Sequence, residues 1–335
     1  MTPGFYNNAA WPRAASMTDK LSAELPLELA GMRLDAALAR VLTAYSRSQL
    51  KQWLQEGALT VDGGQPLPRA VVRGGEQVRL RIPDTPASAA QPEPIELNVV
   101  HADEAIIVID KPAGLVVHPA AGHREGTLVN ALLHYAPELA ALPRAGIVHR
   151  LDKETTGLLV VARTPAAQTA LVRQLQERSV HREYRALVQG VLISGGTVDA
   201  AIGRHPVDRK RMAVVSGGKP AVTHYRVLQR LRAHSLLQVH LDTGRTHQIR
   251  VHMAQIGHPV VGDPVYGGRP RPVRDMQPEA AQALSAFRRQ ALHAAVLGLT
   301  HPVTEDECRF EAPLPADFRS LLDALEKDAV QGQAR

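Results

Sequence analysis

Leu34, Ala37, Leu38, Val41 and Leu42 recur at helical spacing and give residues 33–42 one apolar face. Ser46 and Gln49 make a capping-box pair at the start of a second helix, which turns Leu50, Trp53 and Leu54 inward and stops at Gly57. Arg47 and Lys51, four residues apart, share its outer face; with Arg40 they read as well as a solvated helix face as a contact surface. Leu59 and Val61 then alternate into an Asp62-Gly63 turn, and Val78, Leu80 and Ile82 alternate again. Two helices and a small β segment therefore make a compact module over 31–82.

Residues 83–94, PDTPASAAQPEP, carry four prolines and almost no large apolar side chain, the composition of an extended flexible linker. Beyond it, short β-rich apolar runs at 106–109, 158–162 and 236–241 recur between Gly/Pro turns and a few helices. This pattern predicts an α+β domain over 95–325. The run at 158–162 is continuously apolar, so a sheet buries it on both faces. Residues 1–30 read as a disordered extension and 326–335 as a tail. There is no internal repeat of fixed period.

Composition narrows the class. The chain is 44% apolar and 21% charged, an ordinary globular balance, and 39 Lys and Arg against 33 Asp and Glu leave a net charge of +6, which favours a polyanionic partner. A single cysteine, Cys308, excludes intrachain disulfides and cysteine-rich zinc sites and fits a reducing compartment. No stretch has the length of a membrane span and the first twenty residues lack a signal peptide's apolar centre, so the expected location is the cytoplasm.

Candidate chemistry gathers in four segments. In GIVHRLDKETTGLLVVAR, 146–163, Asp152 stands just before the buried strand with His149, Arg150 and Lys153 around it, cations that would hold its carboxylate ionised. A plainer reading is that Asp152 pairs with an arginine to hold a turn. DKPAGLVVHP, 110–119, turns at Pro112 and Gly114 and places Lys111 and His118 near strand ends. REYRALVQG, 182–190, reads as a strand with Tyr184, Ala186 and Val188 on one face; Tyr184 is either a core residue or a pocket ring able to stack on a planar base. In LDTGRTHQIRVHMAQIGHPVVGDPVYGG, 241–268, a strand ends at Thr243-Gly244 and a helix runs from about Thr246 to Ile256. There His247 and Arg250 share a face and Arg245 sits at the mouth. His247 and His252 invite a metal reading, but their spacing of five is not that of a zinc helix and no carboxylate motif accompanies them. A basic loop from Arg204 to Arg211 fits either a phosphate clamp or a solvated hairpin tip.

Taken together, DKPAGLVVHP, HRLDKETTG, REYRALV and TGRTHQIRVHM resemble the sequence blocks of the RluA-type family of RNA pseudouridine synthases, over about residues 30 to 320, and residues 33–82 resemble an S4 RNA-binding module. The resemblance implies a mixed, largely antiparallel sheet with a central cleft, preceded by the small S4 domain. It implies a reaction in which the N1–C1′ bond of a uridine breaks, the base rotates and C5 joins C1′, with no cofactor and no catalytic metal. By resemblance, Asp152 is the catalytic aspartate, acting as nucleophile at C1′ or as a base toward a glycal. Arg250 pairs with it, Tyr184 packs on the base and assists loss of the C5 proton, and Arg150 fills the gap left by the flipped nucleotide. Leu151, Thr156, Arg245, His247 and Gln248 are further expected substrate contacts, and Arg47 and Lys51 become expected RNA contacts. The implied partner is 23S rRNA of the large ribosomal subunit, at the helix 69 stem-loop on the intersubunit face, and the implied state is a monomer. The rival from another class is a catalytically idle RNA-binding or assembly factor that kept the fold.

Overall fold

The computed structural model describes residues 20–333 apart from 43–44, 46, 82–89, 119–124, 210 and 269–272. It divides into two compact units, Met1–Thr85 and Pro86–Arg335.

In the first unit, β1 (Lys20–Glu24), α1 (Leu34–Val41), α2 (Arg47–Glu56), β2 (Leu59–Val61) and β3 (Gln77–Arg81) follow one another, with the strands in the antiparallel order β1-β3-β2. The apolar stripes read from the sequence are the core: Leu34, Leu38, Leu50, Trp53, Leu54, Leu59, Val78 and Leu80 are buried together. The disordered extension expected over 1–30 is corrected at its end. Lys20–Glu24 pair with Gln77–Arg81, and Leu25 is fully buried, so ordered structure begins at least eleven residues earlier than residue 31. The Ser46 half of the expected capping box and most of the expected linker lie outside the described residues.

The second unit is built on a nine-stranded sheet. Its strands are β4 (Val99–Ala102), β5 (Ile106–Lys111), β6 (Thr156–Ala162), β7 (His181–Gln189), β8 (Gly196–Asp199), β11 (Val222–Arg230), β12 (His234–Leu241), β13 (Leu292–Thr300) and β14 (Glu307–Glu311), while β9 (Ile202–Arg204) and β10 (Met212–Val214) form a separate ribbon. The order is β4-β5-β6-β13-β7-β12-β11-β8, with β14 added on β13, and every pairing is antiparallel except β6 with β13. This is the mixed, largely antiparallel α+β sheet that the resemblance implied. Every residue of β6 is buried, as its unbroken apolar run required.

Helices α3 (Leu128–Tyr135), α4 (Pro165–Glu177), α5 (Gln248–Gln255), α6 (Pro278–Ala286) and α7 (Ala316–Gln333) complete the unit. Thr164 caps α4 through Ala167 N, with Pro165 at the first helical position. α7 buries Phe318, Leu321, Leu322 and Leu325, and it continues through most of the segment expected as a tail, to Gln333, with Asp328 buried there. That i, i+3, i+4, i+7 spacing is an amphipathic helix signature.

Gly157 explains how β6 can sit beside β13. Its φ is +110°, and a Cβ there would lie 2.2 Å from Ala294 O and 2.6 Å from Ala294 N. Only glycine lets the two backbones approach this closely. The turn 152–155, closed by Thr155 N donating to Asp152 O, is thereby pinned against the sheet.

Candidate active site

A cleft of about 820 Å³ opens on one face of this sheet. Arg144, Arg150, Arg178, Arg182, Arg245 and Arg250 line it, with Asp152 on its wall. Such a lining concentrates anions, and phosphates above all.

Asp152 leaves the turn before β6 with its side chain 17% exposed, and Arg250 reaches it from α5, 98 residues away in sequence. Arg250 Nη1 donates to Asp152 Oδ2 at 2.9 Å, while its Nε and Nη2 donate to Asp263 Oδ2 and Oδ1 at 2.7 and 2.9 Å. Asp263 is fully buried and also accepts from Val265 N and Tyr266 N. These bonds offset burial and hold its carboxyl below the usual carboxylate range, and the two aspartates push the Arg250 guanidinium up despite its own burial. The guanidinium carbon stands 5.0 Å from the Tyr266 ring centroid.

His247 closes the other side of Asp152. Its backbone is left-handed, φ 57°, which aims the ring back into the cleft as α5 begins. Tyr266 Oη accepts from Met212 N and shares a hydrogen bond with His247 Nδ1 at 2.9 Å, and His247 Nε2 faces Asp152 Oδ1 at 3.9 Å. Burial holds this imidazole below its usual pKa. Tyr184 rises from β7 into the cleft and is 7% exposed; burial pushes its phenol up, so the hydroxyl keeps its proton. Lys111, fully buried at the end of β5, donates to the carbonyls of Pro112, Leu115 and Lys153 and ties the 112–115 turn to the Asp152 turn.

The remaining expected contacts divide. Arg150, Leu151 and Arg245 line the cleft. Gln248 lines it too, but its amide is committed inward: it accepts from Thr243 Oγ1 and Arg245 N and donates to Val222 O and Thr223 Oγ1, which shapes the turn ahead of α5. Thr156 is corrected from contact to framework, since it is buried and its hydroxyl bonds His293 Nδ1. The metal reading of His247 and His252 fails on geometry: His252 is buried and bonds Thr223 Oγ1 and Ala200 O through its two nitrogens. The 205–211 loop is the tip of the β9–β10 ribbon, and Arg211 lies 5.2 Å from the Tyr266 ring centroid, which joins the ribbon physically to the site. Lys210 lies outside the described residues. In the first unit, Arg47 donates to the buried Asp35 at 2.9 Å, and Lys51 is exposed. Asp263 and Tyr266 were not assigned from sequence, although both stand in the GDPVYGG stretch that follows α5.

Comparison with known proteins defines the class. Residues 105–255 match the RNA pseudouridylate synthase family and residues 32–78 the S4 domain. The chain belongs to the RNA pseudouridine synthase family and is an enzyme of that class, as the four sequence blocks suggested. Among named relatives, it is 56% identical over 307 residues to ribosomal large subunit pseudouridine synthase D of Pseudomonas aeruginosa, an alignment covering 92% of this chain and 96% of that protein. It is 51% identical over 310 residues to the synthase D of Escherichia coli, covering 92% and 95%. The solved structure of human RNA pseudouridylate synthase domain containing 4 superposes with a TM-score of 0.54 at 29% identity, over 68% of this chain and 92% of that one.

Proposed function

We propose that this chain isomerises uridine to pseudouridine in 23S rRNA, at the helix 69 stem-loop of the large ribosomal subunit, with Asp152 as the catalytic carboxylate. The observation that carries the chemistry is the fixed chain Asp152–Arg250–Asp263 on the wall of a cationic cleft. The names of relatives more than 50% identical along nearly the whole chain support the large-subunit substrate.

A uridine inside a stack cannot rotate, so the enzyme extrudes it at a cost of roughly a few kcal/mol, and phosphate contacts and stacking offset that cost. Arg144, Arg178 and Arg182 receive the backbone, and Arg150, exposed at the cleft, fills the vacated place in the RNA. Tyr184 offers its ring to the uracil face. Asp152 acts at the ribose, either adding to C1′ or removing a sugar proton, as the N1–C1′ bond breaks. The uracil turns, C5 bonds to C1′, the C5 proton departs and N1 gains one, so no atom is gained or lost. Tyr184, packed against the base, assists departure of the C5 proton. A monomeric state and a reaction without a cofactor are what the family resemblance implies.

The test is pseudouridine mapping, by carbodiimide labelling and primer extension, of large-subunit rRNA from cells with and without the gene. Loss confined to helix 69 supports the proposal. Loss at another site reassigns the target, and no loss favours the idle RNA-binding reading.

A further inference from the structure

We propose that His181, Glu183 and His240 form a binding site for a divalent transition-metal ion of the zinc class, on the face of the sheet opposite the cleft. Strand geometry assembles it. Glu183 and His240 are direct partners in the β7–β12 register, and His181 precedes Glu183 by two residues and so shares its face. Tyr184, one residue on, points the other way into the cleft.

His181 Nε2 lies 3.8 Å and His240 Nε2 3.7 Å from Glu183 Oε2, and the three donor atoms fall within 4.8 Å of one another. Tetrahedral zinc with bonds of about 2.0 to 2.1 Å holds its donors roughly 3.4 Å apart, so small side-chain rotations close the site. Two imidazoles and one carboxylate are a zinc donor set. The carboxylate is pre-oriented: Glu183 is 5% exposed, Arg185 binds Oε1, Gln238 also hydrogen-bonds the carboxylate, and Oε2 lies toward the two rings. Space is kept for them as well. Gly298 stands opposite His181 on β13, and a Cβ there would come within 3.2 Å of the His181 Cβ. His224, opposite His240, has its nitrogens engaged by Thr197 and Asp242, so the fourth position falls to water. The ion would bridge β7 to β12 and brace the strand that carries Tyr184, without touching the reacting atoms.

The test titrates the tag-free, chelator-stripped full chain with zinc chloride by calorimetry and follows thermal unfolding with and without zinc. One zinc ion per chain is expected, with a zinc-dependent rise in Tm. His181→Ala and His240→Ala should each weaken binding more than about tenfold, a loss seen even for partners one layer out from a metal. His181 is exposed and His240 half-buried at the sheet surface, so neither variant opens the core, and His134→Ala, on an exposed helix end, should bind as wild type. X-ray absorption should show two imidazoles on the ion. No uptake, or uptake unchanged in His181→Ala and His240→Ala, overturns the site.

Discussion

Arg250 directs two of its nitrogens at the buried carboxylate of Asp263 and only Nη1 at Asp152, so the orientation of one aspartate is set by another that never reaches the cleft. A guanidinium held at three points, with the Tyr266 ring beside it, cannot swing away. Asp263 is therefore a positioning residue. Asp263→Asn should lower kcat by about 100-fold, the order expected from misplacing a reacting group by roughly 1 Å, with KM for RNA nearly unchanged. Removing one partner of a buried pair should also cost about 3 kcal/mol of stability. Single-turnover kinetics at a temperature where the variant is folded, alongside urea unfolding, separates the two effects. Wild-type kcat in the folded variant would contradict the positioning role.

The close approach at Gly157 makes a sharper structural prediction. Gly157→Ala must relieve both a φ of +110° and an overlap with the Ala294 backbone. It should cost at least about 2 kcal/mol and shift the Asp152 turn, with loss of activity. Circular dichroism during urea unfolding checks the first part and an isomerisation assay the second.

Three histidines define an acid limit. Burial pushes His149 down to about 3 and His234 and His293 down to about 4, against 6.5 when exposed. Folded pKa values lie below unfolded ones, so the unfolded chain binds protons that the folded chain refuses. Their contribution is complete above about pH 6.5 and is lost as pH falls toward 4. Each proton adds about 1.4 kcal/mol per pH unit to the slope within that window. Urea unfolding at pH 7, 6, 5 and 4 should show this decline, and His293→Gln should flatten it.

In the first unit, the Arg47–Asp35 pair fixes the start of α2, and exposed Lys51 lies one turn further on. If both cations meet phosphates, Arg47→Ala with Lys51→Ala should reduce the slope of log K against log salt by roughly 1.4 to 1.8. Binding measured from 50 to 200 mM salt checks it. An unchanged slope returns both residues to solvated surface.

Much of this arrangement was legible in the chain. The apolar stripes of α1 and α2, the unbroken run of β6 and the alternation of β7 are local signals, and local signals survive folding. The meeting of Asp152 and Arg250 was implied only by resemblance, because 98 residues separate them and no periodicity reports so distant a contact. Asp263 escaped because an aspartate after a helix, among Gly and Pro, reads as turn chemistry. Thr156 turns away from the cleft, which a motif does not reveal because it names a residue without saying which way it faces. β1 escaped because a five-residue edge strand behind a polar stretch has too little pattern, whereas the apolar spacing of α7 was there to be read.

Asp152 carries the proposed chemistry most directly. Single-turnover assay of Asp152→Asn on a helix 69 RNA, with binding measured in parallel, should show binding within a few-fold of wild type and no detectable pseudouridine. Pseudouridine formed at a rate near wild type would contradict the role assigned to this carboxylate.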